Sequence, residues 1–119
     1  MDFRSLCMLE TESLRAALSR LNQAERKILF LTDAAGHLTA ALTDGDVRRC
    51  LLSGGTLEDS AANAGNRRPI AARSREEALR LLARHGCVAV PVLNEDGCVT
   101  GIVLEENERT EPCAVLGLP

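Results

Sequence analysis

Thr43 and Asp46 are the residues of this chain best placed to meet a ligand. They stand three positions apart, where the apolar stretch Leu38–Leu42 gives way to a helical one running from Asp44 to Ser53. A helix start leaves amides unpaired and carries partial positive charge, so it attracts phosphate. A threonine hydroxyl at that entrance adds a donor, and a carboxylate one turn in accepts from ribose hydroxyls. Asp44 lies between them. Further along, Arg67 and Arg68 carry the forked charge that grips phosphate, and Ile70 offers an apolar wall for a base. A plainer role fits the same residues. Thr43 or Asp44 caps the helix, and Asp46 is a favourable charge in its first turn. The two roles are compatible, because one residue caps in the empty state and binds a ligand later.

Other chemistry is absent from the sequence. There is no nucleophile elbow, phosphate loop, dinucleotide fingerprint or metal-ligand spacing. We therefore expect no catalysis and no required cofactor. His37 and His85 are isolated. Cys7, Cys50, Cys87, Cys98 and Cys113 are odd in number and show no CxxC spacing, so each is expected as a small apolar residue. Met1–Phe3 runs straight into polar sequence without a leader, which with the cysteines suggests a reduced, cytoplasmic setting. A net charge of −3 argues against nucleic acid as a partner. Aromatics are 2% of the chain, Phe3 and Phe30, and leave no stacking platform. No apolar run has the length of a membrane helix. The basic stretch Arg73–Arg84 reads as a solvated face balanced by Glu58, Asp59, Glu76 and Glu77.

The elements that must position Thr43 and Asp46 occur twice. Shifting the chain by 61 places sets Ser13 on Ser74, Ala17 on Ala78, Leu18 on Leu79 and Leu21 on Leu82, without a gap. Gly36 then meets Gly97, Thr39 meets Thr100, and Asp46 meets Asn107. Each copy begins with one apolar helix face: Leu14, Ala17, Leu18 and Leu21 in the first; Ala78, Leu79, Leu81 and Leu82 in the second. Ser74 and Glu77 form a capping box, and Gly86 closes that helix in the left-handed conformation. Apolar runs follow at Ile28–Leu31 and Cys87–Leu93 and read as strands buried on both faces. Asp33–Gly36 and Asn94–Gly97 then carry type I turn chemistry, and the return strands are Leu38–Leu42 and Cys98–Leu104. Pro91 implies an edge position or a bulge. The first copy adds a second helix whose apolar face is Val47, Cys50 and Leu51, ended by Gly54-Gly55. Thr56–Ala62 reads as a short helical turn capped by Thr56 and Asp59, and Ile70 as part of a short strand. The second copy shows no clear final helix, since Glu105–Glu111 is polar and Pro112 interrupts it.

The stretch Leu38–Arg49 resembles the strand-to-helix junction of the cystathionine-β-synthase-type (CBS) domain. That family carries Gly-x-x-Thr-x-x-Asp there. Thr43 and Asp46 fit the Thr and the Asp, and Ala40 stands in place of the Gly. The second copy keeps Gly101 but has Leu104 and Asn107 at the other two positions. Val90-Pro91-Val92 also resembles the family. The resemblance spans roughly residues 6 to 107 and implies a tandem pair, a Bateman module. It implies an α/β (α+β) fold of two helix–hairpin–helix motifs, small sheets packed on helices, with motif one at 6–62, motif two at 63–107 and a tail at 108–119.

Such pairs resemble sensors that bind adenosine compounds between motifs, regulate a linked enzyme or transporter, and commonly form flat homodimers. The implied ligands here are AMP, ADP, ATP or S-adenosylmethionine. The wording Leu-Thr-Asp-Gly-Asp-Val-Arg-Arg is similar to pairs that precede sugar-phosphate nucleotidyltransferase domains, which would begin near Cys113–Pro119. The implied binding residues are Thr43, Asp44, Asp46, Arg67, Arg68 and Ile70, and one good site is expected, because Leu104 cannot donate and Glu105 with Glu106 would repel phosphate. A ligand-free dimerisation or docking module is the alternative.

Overall fold

The computed structural model describes residues 3–23 and 27–105 of the 119. The first copy opens with β1 (Cys7–Leu9) and α1 (Leu14–Gln23). A hairpin of β2 (Ile28–Thr32) and β3 (Leu38–Thr43) follows, then α2 (Asp44–Leu52). The second copy supplies α3 (Arg75–His85), β4 (Ala89–Leu93) and β5 (Val99–Leu104). The mixed α/β architecture implied by the sequence is present. Asn107 and the segment 108–119, with any final helix of the second copy, lie outside the described residues.

The repeat is visible in hydrogen bonds as well as in residue types. Each hairpin is antiparallel, with its register shift at the same place: Leu31/Thr32 in one and Val92/Leu93 in the other. Thr39 donates to the Leu31 carbonyl and Thr100 to the Val92 carbonyl, both at 3.2 Å. Asp33 Oδ1 accepts from the amides of Ala35 and His37, and Asn94 Oδ1 accepts from those of Asp96 and Cys98. Gly36 (φ 96°) and Gly97 (φ 89°) close the turns with a positive φ that favours glycine. The two turns then bond to each other. The Leu38 amide donates to the Gly97 carbonyl and the Val99 amide to the Gly36 carbonyl, each at 3.1 Å. A pseudo-twofold axis therefore passes between the hairpin tips.

The turns differ in one respect that can be measured. Amide and ring contacts from His37, led by its backbone N–H, hold the Asp33 carboxyl below its usual range. A depressed pKa contributes stability above the unfolded value, near ~4, and loses it as pH falls through the folded value. Asn94 makes the same two amide bonds without titrating. Asp33→Asn should therefore flatten the fall in melting temperature between about pH 5 and 3. A slope identical to that of the parent chain would show that Asp33 plays no part in it.

Three apolar clusters hold the molecule. Leu14, Ala17 and Leu21 of α1 pack with Leu29, Leu31, Leu42 and Val47 in the first copy. Ala78, Val90 and Val103 form a smaller cluster in the second. Between them, Phe30 and Ala41 meet Ala89, with Ile102 and Leu104 packed alongside. Pro91 sits buried in a two-stranded sheet next to its bulge, as its missing amide demands.

Several local expectations shift. β1 runs parallel to β2, and the sequence reading had no strand there. Ile70 lies outside any strand, and the linker joins the second sheet through one bridge at Ala72 to Val92. Proline at 69 removes an amide just before Ile70, which disfavours a ladder. Thr56 and Asp59 do bond, but the helical turn starts later, at Ala61–Asn63, with Ser60 as its cap. Ser74 Oγ accepts from the Glu77 amide as expected, whereas the Glu77 carboxylate reaches past Ser74 to the Arg73 amide.

Candidate functional site

Thr43 ends β3 in an extended conformation (φ −117°, ψ 168°) and caps α2. Its hydroxyl accepts from the Asp46 amide at 3.3 Å and donates to Asp46 Oδ2 at 3.0 Å. Asp46 Oδ2 also accepts the Thr43 amide at 2.9 Å, which completes a capping box. Asp46 Oδ1 accepts from the Arg49 guanidinium. A carboxylate offers about four acceptor positions, and three are occupied here. Asp46 is 14% exposed and Arg49 72%, so the carboxylate is fixed and the guanidinium sits in solvent.

This junction forms one end of a cleft of about 600 Å³, within the usual ~300–1,000 Å³ of small-molecule sites. Ile28, Phe30 and Ala41 wall it from the first copy, and Val88 and Ala89 from the second. The linker closes the third side with Asn66, Pro69 and Ile70. What holds the linker there is a pair of backbone bonds between Asn66 and Ala41, at 2.7 and 3.0 Å. A second depression of about 620 Å³ is lined by Glu77, Arg80, Leu81, Ala83 and Arg84 of α3.

The structure brings Thr43, Asp46 and Ile70 together in the cleft. It does not line it with Asp44, Arg67 or Arg68. Asp44 pairs with Arg48 on the outer face of α2 at 3.1 Å. Arg67 and Arg68 are exposed between two lining residues, Asn66 and Pro69, and the Arg68 amide donates to Asn66 Oδ1. Arg49, Asn66 and the Val88–Ala89 wall were not singled out from sequence as contributors to a site. A basic residue three positions after Asp46 was the one signal available for Arg49. Among the described residues no group of three or more His, Cys, Asp or Glu could hold a metal ion, and no helix is long and apolar enough to cross a membrane.

The comparisons follow the same lines. The CBS domain family matches residues 73–107. The arabinose 5-phosphate isomerase GutQ of Salmonella typhi is 33% identical over 99 residues, covering 81% of this chain. The chain spans 30% of the length of that relative. Among solved structures, the CBS domain protein PAE2072 from Pyrobaculum aerophilum, complexed with AMP, superposes with a TM-score of 0.65 at 21% identity, covering 83% of this chain and 79% of that one. The CBS domain pair of protein MJ0100, in complex with 5′-methylthioadenosine and S-adenosyl-L-methionine, gives 0.64 at 20% identity, covering 83% of each chain. Residues 73–107 match the CBS domain family, and the doubled hairpins meeting at a pseudo-dyad give the whole chain the fold of the CBS-domain pairs on which it superposes.

Proposed function

We propose that this chain is a regulatory module that binds an adenosine compound in the cleft between its two copies and controls a catalytic domain joined to it. The observation that carries the proposal is the cleft itself. It joins the Thr43–Asp46 junction at one end to apolar walls drawn from both copies and the linker. The remaining acceptor position on Asp46 suits a ribose hydroxyl, and Thr43 with the start of α2 suits the 5′ side. Ile70, Val88 and Ala89 suit the base. Arg67 and Arg68 stand beside the opening, where their charge aids the approach of an anion, and Asp44 orients Arg48 on the flank. The neighbours bound to AMP and to S-adenosyl-L-methionine support the ligand class. The isomerase relatives make a sugar-phosphate isomerase a better-supported neighbour than a nucleotidyltransferase. In this reading the chain does no chemistry of its own, works in the cytoplasm and pairs as a homodimer.

The test is thermal melting with AMP, ADP, ATP and S-adenosylmethionine. A ligand at 100 times its dissociation constant adds about 2.7 kcal/mol to the folded state. At least one of these should raise the melting temperature dose-dependently, and Asp46→Ala should abolish the rise while retaining the fold by circular dichroism. No rise at millimolar ligand would favour the ligand-free docking module, in which the Thr43–Asp46 bonds are only a cap.

A further inference from the structure

We propose that the cleft selects an adenosine compound carrying a single 5′ phosphate, and that Arg49 sets this preference. The inference rests on the adenosine-site reading above and adds the charge the site tolerates. Among the described lining residues the charged groups are Asp46 and Arg49, one of each sign. They cancel by pairing with each other. Their exposures differ: Asp46 is held from two sides by Thr43, whereas the Arg49 side chain is 72% exposed and anchored only at its tip. A ribose hydroxyl takes the remaining acceptor position on Asp46, and the guanidinium, held at its tip, is free to turn to an incoming anion.

The guanidinium already lies over the first turn of α2. A Cβ on Gly45 would sit 3.6 Å from Arg49 Nη1 and 3.9 Å from Thr43 Oγ1. One planar guanidinium pairs with one phosphate through two parallel bonds. A triphosphate brings further charge against the Asp46 carboxylate, and Arg49 is the one cation among the described lining residues to meet it. Arg67 and Arg68 are exposed, so solvent and salt screen their contribution.

Calorimetric titration of the full chain with adenosine, AMP and ATP in magnesium-free buffer tests this, repeated on Arg49→Ala and Arg49→Lys. AMP should bind at least about tenfold tighter than adenosine, and about tenfold tighter than ATP. Arg49→Ala should bring the AMP-to-adenosine ratio within about threefold, with Arg49→Lys between. The ratio is the readout because Arg49 also touches Asp46. Equal weakening of both ligands would show that Arg49 acts only through Asp46 and would overturn the proposal. ATP binding tighter than AMP would overturn it as well. Adenosine and AMP binding alike in the parent chain would sink the charge preference and leave the adenosine site standing. Binding of none of the three would remove the adenosine site itself.

Discussion

Replacing Phe30 by alanine should remove about 3–5 kcal/mol of stability, a large part of the ~5–15 kcal/mol expected of a small domain. Phe30 is 1% exposed at the centre of β2. It is the largest side chain in the seam cluster, where its buried neighbours are Leu6, Ala41 and Ala89. Two alanines cannot refill the space a phenyl ring leaves, so the cavity persists and the lost contacts are not regained. The pseudo-symmetric residue is Pro91, also fully buried but too short to reach across. The first copy therefore supplies most of the volume that joins the halves. Urea denaturation should show the midpoint falling sharply, whereas Phe30→Leu should cost under about 1.5 kcal/mol. A loss below about 1 kcal/mol for the alanine variant would mean the seam is not closed as described.

Gly65→Ala should cost about 1–3 kcal/mol by overpacking, and Ala40→Gly in the same chain should restore most of it. A Cβ at position 65 would lie 2.9 Å from the Ala40 Cβ and 3.2 Å from Leu31 Cδ1. Ala40 is 1% exposed and Leu31 fully buried, so neither can yield. Gly65 also lies on the cleft, one residue before the Asn66–Ala41 bonds that hold the linker. The CBS pattern has glycine where this chain has Ala40, and the structure shows how the extra methyl is accommodated. The linker gives up its own Cβ opposite. A double-mutant cycle should give a favourable coupling of about 1 kcal/mol or more between the two positions. Additive losses would show that the backbones move apart instead.

What was legible in the sequence was what local chemistry fixes. Asp33 and Gly36, like Asn94 and Gly97, carry their turn geometry in residue types three apart, so both turns could be read. Thr43 and Asp46 form their capping box across three residues of sequence, so the junction could be read too. The identical 61-residue offset then made the second copy an independent reading of the first. What was not legible depends on contacts between distant segments. Asn66 meets Ala41 across 25 positions, and Val88 faces Ile28 across 60. Neither has a pattern of its own. Arg67 and Arg68 look like phosphate ligands by composition, yet Pro69 and the Asn66 bridge set a loop path that leaves them outside the lining. Arg49 was hidden for the opposite reason. It sits in a run of charged residues on an exposed helix, and only its distance to Asp46 separates it from Arg48 beside it.

The central claim is that one adenosine compound occupies the cleft beside Thr43 and Asp46. Backbone NMR of the isotopically labelled chain, titrated with AMP, tests it most directly. The account predicts shifts confined to the amides of residues 28–30, 41–49, 64–70 (Pro69 has none) and 87–89, saturating at one ligand per chain, with α3 undisturbed. Shifts gathered along α3 or beside Glu105 with the Thr43–Asp46 amides unmoved would contradict it.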